Sequence, residues 1–148
     1  MENTELTALK LRLREFADSR DWNQFHSPKN LCMALGIEVA EISEHFQWLT
    51  EEQSRHLPED KLEEVASELA DTLLYLVRLA DKLDIDLAAA AAAKIEINAK
   101  KYPVEMARGN AKKYTEFTRY RLIFQYALKQ AVTAAAGPQD PQIYTQLT

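Results

Sequence analysis

Apolar residues recur along most of this chain at spacings of three and four, the period of an amphipathic α-helix. A first helix is predicted from about Thr4 to Ser19. Ser27 followed by Pro28 is a typical helix start, and a second helix is predicted from Pro28 to Trp48. The residues expected to face the core from these two helices are Leu6, Leu9, Leu13, Phe16, Leu31, Leu35, Val39, Ile42 and Phe46.

Two further helices follow a polar connector. The third is predicted from about Glu59 to Leu83, and its apolar face comprises Leu62, Val65, Leu69, Leu73, Leu76 and Leu79. Asp84 or Asp86 can cap the fourth, which continues through an alanine-rich run to Lys101 and stops before Pro103. No strand pattern of comparable length competes. The prediction is an all-α fold with a four-helix bundle core.

The last part of the chain carries no recognisable chemistry. The segment TRYRLIFQYALKQAV can form another amphipathic helix, and GPQDPQIYTQLT then follows as a loose tail.

Composition and charge narrow the class of protein. The chain has 148 residues, enough for one domain, with 47% hydrophobic and 28% charged residues, as expected for a soluble globular protein. The net charge of −5 argues against nucleic acid as a main partner. Cys32 excludes an internal disulfide because it is the sole cysteine. With no signal-peptide pattern and no apolar run long enough to span a bilayer, we expect a cytoplasmic protein without a membrane partner.

The most informative polar residues are two pairs of acids. Glu38 and Glu41 are three apart on the second predicted helix, and Glu68 and Asp71 are three apart on the third. Each pair lies on one helix face at the border of the apolar face. If the two helices pack antiparallel, four carboxylates converge and would favour a hard divalent cation, magnesium or manganese rather than zinc. Such pairs are also common on solvated helix faces, so both interpretations stay open from spacing alone.

Together with their surroundings, these acids resemble a known family. The segments EVAE (38–41) and ELAD (68–71) resemble the ExxE…ExxD signature of the all-α NTP pyrophosphohydrolases, the MazG-like group. Other segments are similar to its dCTP pyrophosphatase branch: RDWNQFH (20–26), GIEVAE (36–41), FQW (46–48), ELADTLLY (68–75), KIEIN (94–98), KYP (101–103) and KKY (112–114).

The resemblance implies a MazG-like domain over residues 1–117 and a C-terminal extension of unknown role over 118–148. It also implies assembly as a homodimer or homotetramer. The four acids would be the metal ligands and catalytic residues, with Mg²⁺ as cofactor and Mn²⁺ as a possible substitute, and Glu41 is a candidate general base. The residues implied to bind the nucleotide are Trp22, Phe25, His26, Trp48 and Tyr75 in the base pocket and Lys94, Asn98 and Lys101 near the phosphates.

The implied activity is Mg²⁺-dependent hydrolysis of a nucleoside triphosphate, dCTP or a related or modified dNTP, to the monophosphate and pyrophosphate. Its role would be control or cleaning of the nucleotide pool. Leu13 stands where some relatives place a histidine close to the base, which puts strict cytosine selectivity in doubt. His45, apolar in that branch, is expected at the surface or an interface. The alternatives are a dUTP or phosphoribosyl-ATP hydrolase of the same fold, or a non-catalytic helical oligomerisation or binding module.

Overall fold

The computed structural model describes the backbone of residues 4–136 and the side chains of 5–117, 122–123 and 125–130. The helices are α1 (Thr4–Asp18), α2 (Pro28–Phe46), α3 (Glu51–Ser54), α4 (Glu59–Lys82), α5 (Leu87–Lys101), α6 (Val104–Ala107) and α7 (Tyr114–Ala136), with a 3₁₀ turn at Trp22–Gln24. These residues contain no strand, so the predicted all-α class is confirmed. The predicted loose tail, 137–148, lies outside the described residues.

Local sequence signals explain where the helices begin. The Ser27 hydroxyl accepts a hydrogen bond from the Asn30 N–H at 3.2 Å, and Pro28 occupies the first turn of α2. Of the two aspartates considered as caps for α5, Asp86 accepts from the Ala89 N–H at 2.9 Å. The short helix α3 was predicted as a connector. Its capping box, Thr50 with Gln53, is the sequence signal that would have identified it.

The chain divides into two compact units, residues 1–93 and 94–148. In the first unit α2 packs along α4, and α1 packs on α4 as well. Its buried residues are Ala17, Leu31, Val65, Val77, Arg78 and Ala80. This packing places the two acid-bearing helices side by side, as the sequence analysis assumed.

The predicted core faces of α2 and α4 are only partly buried. On α4, four leucines expected in the core are between 37% and 54% exposed: Leu62, Leu69, Leu73 and Leu76. On α2, Val39 is also exposed. The prediction that these residues pack in the core of the single chain is therefore wrong. The reason is that the apolar faces of α2 and α4 are wider than the surface over which the two helices touch, so part of each face stays exposed.

In the second unit, three aromatic rings hold the segment between α5 and α7. The Tyr102 ring makes edge-to-face contacts with Tyr114, at 6.1 Å between centroids, and with Phe117, at 6.0 Å. Lys101 Nζ lies 5.1 Å from the centre of the Tyr114 ring, within the range of a cation–π contact. The predicted division of the chain at residue 117 stays a prediction.

Within the part of the chain that the structure describes, we find no helix with the length and apolar character needed to cross a bilayer.

Candidate metal and nucleotide site

The pairing of α2 with α4 brings three of the four predicted acids together. Glu38, Glu41 and Glu68 each have a carboxylate oxygen within 4.8 Å of those of the other two. Asp71 lies one helical turn beyond Glu68 and is outside this triplet, although its charge acts on both Glu38 and Glu68. We call Glu38, Glu41, Glu68 and Asp71 the acidic cluster.

The acidic cluster carries uncompensated negative charge. Partial burial raises the pKa of Glu38, and the charges of Glu41, Asp71 and Glu68 raise it further. Burial also raises the pKa of Glu68, followed by a hydrogen bond with Glu41 and the charges of Glu41 and Asp71. Carboxylates that resist ionisation together fit a site for a divalent cation, because the cation relieves their repulsion. The all-oxygen donor set matches Mg²⁺ or Mn²⁺.

His45 does not belong to this donor set. Its Nδ1 atom lies 3.6 Å from Glu64 Oε2, and its charge acts to lower the pKa of Glu68. The expectation that His45 is not a ligand stays a prediction.

A pocket of about 240 Å³ opens beside the acidic cluster. Asp71 belongs to both, since it also lines this pocket. The other lining residues are Leu13, Phe16, Trp22, His26, Leu31, Leu74, Tyr75 and Arg78. On α4 the spacing of Glu68, Asp71 and Tyr75 therefore places two acids of the cluster and one aromatic ring of the pocket along the same helix face.

The aromatic wall of this pocket is built by the turn between α1 and α2. The Trp22 ring meets Phe16 edge to face at 5.7 Å and His26 at 6.1 Å. The turn is fixed by polar contacts: Asn30 Nδ2 donates to the Phe25 carbonyl at 2.9 Å, and Asn23 Nδ2 donates to the Asp18 carboxylate. These contacts position the Trp22 ring at the wall of the pocket.

Two of the residues predicted to form the base pocket do not line it. Phe25 is 59% exposed and Trp48 is 86% exposed, and neither lines it. Lys94, Asn98 and Lys101 are exposed residues of the second unit. The roles of these five residues stay predictions from the resemblance.

Two charged residues were not predicted from the sequence: Arg78, which lines the pocket, and its ion-pair partner Asp81. Their side chains are 6% and 5% exposed, and Arg78 Nη1 donates to Asp81 Oδ2 at 2.7 Å. Arg14 on α1 donates to the same carboxylate, with 3.0 Å from its Nε to each oxygen. An available signal was the RLAD segment, which sets opposite charges three apart in an apolar stretch.

Comparison with known proteins finds relatives of one family. The family model described as "MazG-like family" matches residues 33–117. The chain is 45% identical to mouse dCTP pyrophosphatase 1 over 107 residues, covering 71% of this chain and 63% of that protein. It is 41% identical to the bovine protein of the same name over 132 residues, covering 86% and 72%. A crystal structure of a pyrophosphatase from Archaeoglobus fulgidus superposes with a TM-score of 0.64 at 40% identity, covering 70% of this chain and 96% of that one.

The fold and the acidic cluster define an all-α protein in which three carboxylates lie close enough to hold a divalent cation. The chain belongs to the MazG-like family, as the sequence predicted. Membership of this family implies dependence on a divalent metal. The chain spans less than two thirds of the length of the mouse relative, at 63%.

Proposed function

We propose that this protein hydrolyses a deoxynucleoside triphosphate, dCTP or a related or modified dNTP, to the monophosphate and pyrophosphate with Mg²⁺. The observation that carries the proposal is the position of Asp71 on both the acidic cluster and the aromatic pocket. A nucleotide whose base enters the pocket would place its phosphates towards the carboxylates. Relatives at 41% and 45% identity are named dCTP pyrophosphatase 1, which supports the choice of substrate.

In this proposal the acidic cluster binds the metal and the pocket binds the base. Mg²⁺ held by the acidic cluster would supply positive charge against the phosphate oxygens. Trp22 and Tyr75 would hold the base by stacking and exclude water around it. Glu41 would accept the proton of the attacking water as general base. Lys94, Asn98 and Lys101 are proposed for the phosphates on the resemblance alone.

Pyrophosphate release from a panel of triphosphates tests the reaction. The panel comprises the dNTPs, the NTPs, base-modified dNTPs, dUTP and phosphoribosyl-ATP, each with Mg²⁺ and with EDTA. We expect Mg²⁺-dependent release with a preference for a pyrimidine dNTP. Phosphoribosyl-ATP as best substrate would move the protein to another branch of the fold. No release from any compound would favour the non-catalytic binding module.

Trp22 is expected to contribute to nucleotide binding rather than to folding, because its side chain lines the pocket and remains partly exposed. Stacking of a base on an aromatic ring is worth ~1–3 kcal/mol. Trp22→Ala should therefore raise the KM for the preferred dNTP about 10- to 100-fold and leave the melting temperature nearly unchanged.

Fluorescence gives an independent measurement, because the chain has only two tryptophans. In Trp48→Phe, where Trp22 is the remaining fluorophore, titration with the nucleotide in EDTA should change the emission. An unchanged emission despite measured binding would place the base elsewhere.

We also propose that the protein is a homodimer or homotetramer assembled through α2 and α4. The support is the exposed row Leu62, Leu69, Leu73 and Leu76, whose spacing of seven, four and three keeps it on one face of α4. A row of four exposed leucines on one helix face is typical of a subunit interface. Trp48, 86% exposed and two residues past the end of α2, would gain contacts in such an assembly.

Leu69→Gln combined with Leu73→Gln should shift the protein to monomers, as measured by light scattering after size exclusion. Two buried amides without partners would oppose association strongly. Leu11→Gln is the matched control, because Leu11 on α1 is 54% exposed, like Leu69. A double variant with the oligomeric state of the wild type would contradict this interface.

A further inference from the structure

Arg78 is a buried cation in the wall of the nucleotide pocket, and its guanidinium contacts three different groups. Its Nε donates to His26 Nδ1 at 3.4 Å, its Nη1 to Asp81 at 2.7 Å, and its Nη2 to the side-chain oxygen of Asn23 at 2.5 Å. These partners lie up to 55 residues away in sequence. Arg78 therefore ties α4 to the turn that carries Trp22 and His26.

This contact determines which nitrogen of His26 carries the proton. A guanidinium has only donors and remains charged, so it cannot accept a hydrogen bond. Nδ1 of His26 must then offer its lone pair, and in the neutral ring the proton sits on Nε2. Burial, with the charges of Arg78 and Lys82, lowers the pKa of His26, which keeps the ring neutral at physiological pH.

The pocket leaves the other ring nitrogen of His26 available. Among the described residues, Nε2 has no hydrogen-bond partner, while His26 lines the pocket beside Trp22 and Tyr75. Most of the remaining lining is apolar: Leu13, Phe16, Leu31 and Leu74. An oriented N–H donor in a largely apolar wall discriminates between ligands that offer an acceptor and ligands that do not.

We infer that Arg78 is a positioning residue for base recognition: it holds His26 as an Nε2–H donor for an acceptor atom on the nucleobase, a ring carbonyl oxygen or an unprotonated ring nitrogen. The choice of a nucleobase as ligand rests on the proposed function. The orientation of His26 does not, and it can be measured in the absence of nucleotide.

Nitrogen NMR of the imidazole rings measures the tautomer directly. The chain has three histidines, and the signals missing from His26→Gln assign residue 26. We expect the wild type to show an unprotonated Nδ1 and a protonated Nε2 in a single tautomer. Finding the proton on Nδ1 in the wild type would overturn the inference whatever the variants do.

Arg78→Lys tests the link between the two residues, because lysine keeps the positive charge beside Asp81 but removes the Nε–H that contacts His26. We expect a mixture of tautomers and a KM for the preferred dNTP about tenfold higher, with kcat within about twofold of the wild type. In a His26→Ala background the same substitution should change the KM by less than about twofold. If the KM of the double variant instead rises by the product of the two single-variant increases, Arg78 acts independently of His26.

The tautomer also separates this inference from the proposed function. If no triphosphate is hydrolysed and the wild type still shows the Nε2–H tautomer, the proposed reaction fails while the positioning by Arg78 stands. For that case, nucleotide binding by Trp22 fluorescence replaces the KM in the comparison of Arg78→Lys with His26→Ala. Equal binding by wild type and both variants would overturn base recognition by His26.

Discussion

Glu41→Gln should lower kcat for Mg²⁺-dependent pyrophosphate release by about 10²–10³-fold, the range observed when one preorganised electrostatic group is removed from an active site. Glu41 contributes an oxygen within 4.8 Å of Glu38 and Glu68, so its amide both weakens the cation site and removes the proposed proton acceptor. The amide preserves the shape of the side chain. The loss should therefore appear in activity and in metal binding, without loss of the fold.

The melting temperature distinguishes a metal site from a solvated group of acids. Without metal, Glu41→Gln should be as stable as the wild type or slightly more stable, because it removes charge that raises the pKa values of Glu38 and Glu68. Added Mg²⁺ should raise the melting temperature of the wild type and affect the variant much less. Glu63→Gln, on an exposed part of α4, is the matched control and should behave as the wild type. Equal loss of activity in both variants would argue against a specific role for Glu41.

Asp81→Asn should lower the free energy of unfolding by about 3 kcal/mol, since removal of one partner from a buried ion pair leaves the other charge uncompensated. Arg78 is the charge left behind, with a side chain only 6% exposed. Arg14 would lose its partner as well, but it is half-exposed and can be solvated. Chemical denaturation with Glu63→Gln as control measures the effect, and the control should differ from the wild type by less than ~0.5 kcal/mol.

The pH dependence of stability gives this prediction a definite sign. The pKa of Asp81 is held below its ordinary value, mainly by hydrogen bonds from Arg14. Burial opposes this shift, and the positive charges of Arg14 and Arg78 add to it. A carboxylate with a lowered pKa in the folded state stabilises above its unfolded pKa of about 3.9 and loses that contribution as the pH falls through the folded pKa. The difference between wild type and Asp81→Asn should thus be constant near neutral pH and shrink below about pH 4. A difference that grows on acidification would contradict the assignment.

The acidic cluster and the ion-pair network of Arg14, Asp81 and Arg78 are expected to govern different properties of the protein. The acidic cluster is proposed to act in catalysis, whereas the ion pairs of Asp81 with Arg14 and Arg78 are expected to stabilise the fold. Asp81→Asn also reaches the pocket indirectly, because Asp81 holds Arg78 and Arg78 contacts His26. This dependence is why Arg78→Lys, which keeps the ion pair, is the sharper test of base recognition.

Several features followed from the amino-acid sequence. Helix periodicity placed α1, α2, α4 and α5 within a few residues of their observed ends, because the faces and caps of a helix are encoded within a few turns. The three-residue spacing of Glu38 with Glu41 and of Glu68 with Asp71 fixed each pair on one face. The ordered segments around those acids identified the family, which the matching family model confirms.

Other features were decided only by the tertiary structure. The approach of Glu38, Glu41 and Glu68 to within 4.8 Å depends on α2 lying against α4 at one register. The contacts of Arg78 with Asn23 and His26 join residues 55 and 52 positions apart, and no local pattern specifies such partners. The exposure of Leu69 and Leu73 likewise depends on how much of an apolar arc one neighbouring helix covers. Sequence periodicity determines which residues share a helix face. Which part of that face is buried depends on contacts between helices that are distant in sequence.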